Sequence, residues 1–262
     1  MNQLGTTFLV YPSANHTRFE HSLGTLFVID NMLTLALTNR PQEILKWNKD
    51  EAEYYRGLAR LSALLHDLGH APFSHAGEEL FPIAGQEQKL THEDYTFGII
   101  TETELSQYID NCYGPGAARK VAEIATGRAK TREMAFLSEL LTGDFGADRI
   151  DYLIRDSYHL GVQYGRFDVP RLLNTIHVRL NEEKQGPELA LESGGLHTVE
   201  GFLLARYFMF LDVYFHKTRR ILDQHLVDLQ RNRLILLTGR RSLSYTAAII
   251  NRSQKCQHWC GN

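Results

Sequence analysis

The segment Leu64-Leu65-His66-Asp67-Leu68-Gly69-His70-Ala71-Pro72-Phe73-Ser74-His75 decides how the chain is read. Upstream of it, Tyr54, Leu58, Leu61, Leu65 and Leu68 recur at helical spacing behind Asn48 and Glu51, a pair three residues apart that resembles a capping box. Gly69 and Pro72 stop the run. His66, Asp67 and His70 therefore lie at the end of a buried helix, where an unpaired carboxylate would cost several kcal/mol to desolvate. Something cationic should neutralise Asp67. A divalent ion does so well, and an imidazole beside a carboxylate supplies the mixed nitrogen and oxygen donors that suit Mn, Fe, Zn, Ni or Co.

Outward from this block the period stays helical. Phe19 to about Leu37 forms one helix, with Leu23, Leu26, Phe27, Met32 and Leu33 recurring and Asn39 and Pro41 at its end. Residues His92 to about Thr101 and Ala117 to Thr126 read as short helices, Ser138 to Leu160 as one longer helix, and Thr198 to Leu229 as another. Asp148, Tyr152, Arg155, Asp156 and His159 fall near one face of the Ser138 to Leu160 helix. Between His177 and Ser193 the pattern alternates around Gly186-Pro187, which predicts a small β-hairpin. The expected class is all-α, a helical bundle with a β-hairpin insertion around 177–193.

The 262 residues carry 28 Lys and Arg against 31 Asp and Glu, a formal net charge of −3, so no global field draws the chain to a polyanion. Cys112, Cys256 and Cys260 are too few for a disulfide framework. The N-terminus lacks a secretory pattern, and the apolar stretch Phe202 to Phe215 is too short for a membrane span and contains Arg206 and Asp212. These features predict a cytoplasmic protein without a membrane partner. From Leu229 onward there is no acidic residue, so 231–262 reads as a basic, poorly patterned tail after a domain spanning 1–230. The Cys256, His258 and Cys260 spacing is too tight for an ordinary zinc finger.

Histidine is the compositional anomaly: of 12, His66, His70, His75 and His92 crowd one quarter of the chain, with His21 upstream. Taken alone, His21 reads equally as a helix histidine bonded to a carbonyl, and Asp148 as a cap or a solvated side chain. The blocks Thr17-Arg18-Phe19-Glu20-His21-Ser22-Leu23-Gly24, Leu65 to His75, and Ala147-Asp148-Arg149-Ile150-Asp151-Tyr152-Leu153-Ile154-Arg155-Asp156 together resemble the HD-domain phosphohydrolase superfamily, and within it the deoxynucleoside triphosphate triphosphohydrolases. That resemblance implies an HD-domain helical bundle and a divalent metal (Mn, Mg, Fe, Zn, Ni or Co) held by His21, His66, Asp67 and Asp148. It further implies hydrolysis of dNTPs to deoxynucleoside and triphosphate.

By the same resemblance, His70, His92 and Glu93 are catalytic, and Gln3, Arg18, His75, Arg149, Tyr152, Asp156, Arg206, Tyr214 and Lys217 contact substrate. Phe210 stands where the member of the family it most resembles has a histidine and Arg149 where that enzyme has a lysine, and the resemblance leads one to expect a domain without the helices that the family normally carries before Gln3-Leu4-Gly5. The relatives commonly assemble, so a homo-oligomer is expected. Two alternatives stay open: an HD phosphohydrolase acting on nucleoside monophosphates or phosphodiesters, and a nucleotide or nucleic-acid binding module using the basic tail.

Overall fold

The computed structural model describes residues 1–38, 44–84, 88–181, 183 and 186–238. Helix α1 (Arg18–Thr38) packs against α2 (Lys49–Leu65) and α8 (Ala147–Leu160). Between α2 and α8 the chain forms α3 (His75–Glu78), the two-residue strands β1 (Ile83–Ala84) and β2 (Gln88–Lys89), α4 (His92–Glu102), α5 (Glu104–Tyr113), α6 (Ala117–Ala125) and α7 (Arg132–Thr142). After α8 come α9 (Val169–Asn174), the antiparallel hairpin β3 (Ile176–Asn181) and β4 (Gly186–Leu191), α10 (Leu196–Met209) and α11 (Lys217–Thr238). Ile29, Met32 and Leu33 of α1, Leu58 of α2, Val121 and Ile124 of α6, Leu137 and Leu140 of α7 and Ile150 and Leu153 of α8 form the buried core. The all-α class with its hairpin is thus as expected.

The capping box is present: Asn48 accepts from the Glu51 amide, and Glu51 accepts from the Asn48 amide. Three expectations need correction. The single helix from Ser138 to Leu160 is two, α7 and α8, because the chain turns extended at Gly143 and Gly146. The long helix from Thr198 is broken by a π-helical turn at Phe210–Tyr214 and a non-helical Phe215, and the extra residue in that turn changes which side chains share a face. Helix α11 continues past 230 to Thr238. Residues 239–262, with the tail readings made on them, lie outside the described residues, and α5 went unrecognised in the sequence.

Two glycines position the site. At Gly24 a Cβ would come within 1.8 Å of Asp151 Oδ1 and 2.2 Å of an Arg155 nitrogen, so a larger residue would have to displace the Asp151 and Arg155 side chains from where they lie against α1. At Gly69 a Cβ would meet the His92 carbonyl at 2.0 Å and the Thr96 amide at 2.4 Å. Thr96 Oγ1 joins the same junction, accepting from the Gly69 amide and donating to the His66 carbonyl. Because the obstacles are backbone, Gly69→Ala is expected to push α4 away and lower stability by about 1–3 kcal/mol. Urea unfolding with an unchanged midpoint would contradict this.

The loop after the His66-Asp67 doublet is strained. Phe73 and Ser74 both have positive φ, 68° and 60°, at a cost of order 1–3 kcal/mol each for non-glycine residues. Arg18 donates to Ser74 Oγ at 2.6 Å and also bonds Asp67, which ties the loop to α1.

Candidate active site

His21 projects from the first turn of α1, and its Nδ1 lies 2.8 Å from Asp151 Oδ2. Asp151 is itself fixed by two bonds from Arg155, each 2.8 Å. His66, at the C-cap of α2, has Nδ1 2.8 Å from the Ala63 carbonyl, so that nitrogen carries the proton and donates. Each imidazole is thereby oriented through Nδ1 and presents Nε2, the pattern that prepares a histidine as a metal ligand. His21 Nε2 lies 3.1 Å from Asp148 Oδ1 and 3.7 Å from Asp67 Oδ2; His66 Nε2 lies 3.3 Å from Asp67 Oδ1 and 3.7 Å from Asp148 Oδ1.

This donor set fits a divalent cation. Both Nε2 atoms are buried without a hydrogen-bond partner, and donor atoms of His21, His66 and Asp148 all lie within 4.8 Å of one another. Orphaned nitrogens facing two carboxylates make a poor hydrogen-bonded core and a good mixed nitrogen and oxygen cage. The electrostatics agree. Burial lowers the His21 pKa, but Asp148 and Asp151 outweigh it and push it up to about 10, so this point favours positive charge. Burial raises the Asp67 pKa, yet His66, His70, Arg18 and His21 hold it well below the usual range; His21 and His66 do the same for Asp148.

Beside this group stands a second one. Glu78 Oε1 is 2.7 Å from His70 Nδ1 and 3.0 Å from His75 Nδ1, and Glu78 Oε2 is 3.1 Å from His92 Nδ1. The His70 and His92 rings stack with centroids 3.9 Å apart, and His70 Nε2 reaches to 3.3 Å from Asp67 Oδ1. Glu93 lies 3.3 Å from His92 Nε2. Burial lowers the His92 pKa, but Glu78 raises it more. Burial raises that of Glu78, and the three imidazoles overturn this to keep it an anion.

A cavity of about 430 Å³, within the roughly 300–1,000 Å³ usual for small-molecule sites, opens over both groups. Gln3, Arg18, Asp67, His70, His75, Asp148, Tyr152, Asp156 and Tyr214 are among its lining residues. Asp156 is buried between His16 Nε2 and the Tyr214 hydroxyl, each at 2.6 Å. Three expected substrate contacts are absent from the lining. Arg149 is ion-paired with Asp144 at 2.5 Å, Arg206 lies over the Phe210 ring at 5.0 Å, and Lys217 is exposed at the start of α11. Arg219 and Arg220, which follow the π-helical turn, line the cavity where Lys217 does not, and Arg219 bonds the Tyr214 carbonyl at 2.5 Å. Arg206, Phe210 and Tyr214 do stay together, with the Phe210 and Tyr214 ring centroids 5.1 Å apart, and Lys217 is the one that leaves their face.

Sequence reasoning missed Glu78, Asp151, His16 and the Arg219-Arg220 pair. Spacing carried a faint signal for two of them, since Glu78 is three residues after His75 and Asp151 three after Asp148, the interval that shares a helix face.

Residues 18–156 match the HD domain and residues 167–238 the HD associated region. An uncharacterized protein of Bacillus subtilis, YwfO, is 38% identical over 221 residues, covering 84% of this chain and 45% of that protein. Human deoxynucleoside triphosphate triphosphohydrolase SAMHD1 is 27% identical over 271 residues, covering 94% of this chain and 42% of the human protein. Among solved structures, a phosphohydrolase from Bacteroides thetaiotaomicron superposes with a TM-score of 0.69 at 29% identity, covering 89% of this chain and 51% of that one. The chain spans about half the length of these relatives.

Proposed function

Because the chain belongs to the HD-domain family, we propose that it is a metal-dependent phosphohydrolase that cleaves a dNTP into deoxynucleoside and inorganic triphosphate. The observation that carries this reading is the pair of buried, unpartnered Nε2 atoms of His21 and His66 facing Asp67 and Asp148 at the floor of an arginine-bearing cavity. Bound there, a divalent ion would polarise a phosphoryl oxygen and make an attacking water more acidic.

The chain's own residues supply the rest. Arg18, Arg219 and Arg220 place positive charge along the cavity, which offsets the charge of a triphosphate and orients it. The leaving 5′-oxygen needs a proton. His92, whose protonated form Glu78 favours, is suited to hold one, with Glu93 on its other nitrogen. His75, exposed at the rim and bonded to Glu78, is the alternative donor. Gln3, Tyr152 and Asp156, which line the same cavity, offer the uncharged amide, the phenol and the carboxylate that suit the hydroxyls of a sugar. Tyr214, held by Asp156, narrows the space a 2′-hydroxyl would occupy, although exclusion by shape discriminates only modestly.

The test is chromatography of products from purified protein incubated with Mn and each of the four dNTPs and NTPs. Deoxynucleoside and triphosphate are expected, with dNTPs consumed faster than NTPs. Release of orthophosphate or a nucleoside monophosphate instead would contradict the proposed bond cleavage.

A further inference from the structure

His70, His75, Glu78 and His92 carry more chemistry than one acid–base step requires. Their donor atoms all lie within 4.8 Å of one another, as compact as the first group and made of different residues. Three ring nitrogens converge on one carboxylate, each by its Nδ1. The two stacked rings each have a carboxylate at both nitrogens: Asp67 and Glu78 for His70, Glu78 and Glu93 for His92. A neutral imidazole has one N–H, so such a ring leaves one lone pair facing an oxyanion. A cation placed between nitrogen and oxygen makes that arrangement favourable.

We propose that His70, His75, Glu78 and His92 form a second metal site, selective for an imidazole-seeking transition metal such as zinc, whose occupation silences the acid–base cluster. Three imidazoles and a carboxylate are a donor set for Zn²⁺ rather than for Mg²⁺, which prefers oxygen. Zinc bonds of about 2.0–2.1 Å place tetrahedral ligand atoms about 3.3 Å apart. The present gaps of 2.7, 3.0 and 3.1 Å from Glu78 to the histidines need to open by only a few tenths of an ångström. An ion can reach the site, since the His75 side chain is 67% exposed and lines the cavity. A metal bound there through the Nδ1 atoms takes the place of the proton that Glu78 favours on each ring, so His75 and His92 keep only the Nε2–H of a neutral imidazole and neither can act as an imidazolium acid toward a leaving group. Two ion positions then lie side by side, with His70 between them and no ligand in common.

The inhibitory consequence rests on the proposed hydrolase reading, whereas the ion count does not. Chelator-stripped full-length protein is titrated calorimetrically with zinc and compared with Glu78→Gln, His75→Ala, Asp148→Asn and the Glu78→Gln/Asp148→Asn double variant, circular dichroism showing that each is folded. The expected result is that Glu78→Gln and Asp148→Asn each lose one equivalent relative to the parent and the double variant loses two. His75→Ala, at an exposed position, should weaken the Glu78-dependent equivalent by at least about tenfold. Zinc added to the Mn-supplemented parent should suppress whatever nucleotide hydrolysis it shows. A parent that binds no more zinc than Glu78→Gln overturns the second site; full hydrolysis with both equivalents of zinc bound overturns the silencing.

Discussion

Asp67→Asn is expected to cost one equivalent of bound divalent metal and to slow hydrolysis by on the order of 10³-fold. The size follows from what this carboxylate holds together. Its oxygens face His66 Nε2 and His70 Nε2 at 3.3 Å each and His21 Nε2 at 3.7 Å, and Arg18 bonds Oδ2 from α1. Asparagine keeps the volume but removes the negative charge, so the imidazoles and the Arg18 guanidinium lose the anion that balances them. Stability falls as well, because breaking a buried charge pair from one side leaves the other partner uncompensated. Metal content by mass spectrometry and initial rates with dNTP check the prediction together with a thermal melt. A folded Asp67→Asn protein with parental metal content and rate would contradict it.

Glu78→Gln should lower hydrolysis by about 10²- to 10⁴-fold while the His21, His66 and Asp148 group keeps its ion. Glu78 is the shared acceptor of His70, His75 and His92, so its loss releases all three from their present orientation. The sign of the accompanying pH effect follows from His92. Burial lowers its pKa and Glu78 raises it above the ordinary value; without that anion the proton leaves at lower pH. A reaction that needs protonated His92 therefore loses its alkaline limb earlier, and the descending arm of kcat/KM against pH moves to lower pH. Rates measured across pH in saturating Mn read both effects, and an unmoved alkaline arm with an unchanged rate would exclude Glu78 from the chemistry.

The helices that announce themselves locally were legible in the sequence. The Asn48 and Glu51 box marks the start of α2, and the apolar period of α1 runs to its end at Thr38. The apolar period continues across Gly143 to Gly146, with Leu140 and Leu141 on one side and Ile150 and Leu153 on the other, so the pattern predicts one helix where the chain makes two. The run from Phe202 to Phe215 is apolar throughout and hides the π-helical turn, and with it the exchange of Lys217 for Arg219 and Arg220 in the cavity wall. The same contrast holds for the site. His66 and Asp67 adjoin, and His21 and Asp148 stand in motif-like blocks. The pairings of His16 with Asp156 and of His21 with Asp151 join residues 140 and 130 positions apart, which only the packing of the N-terminal segment and α1 against α8 brings together.

The most direct measurement is anomalous diffraction from crystals of the metal-stripped protein soaked in manganese. The strongest peak is expected within bonding distance of His21 Nε2, His66 Nε2 and a carboxylate oxygen from each of Asp67 and Asp148, and it should vanish in Asp148→Asn. A strongest peak elsewhere, or none between those two imidazoles, would contradict it.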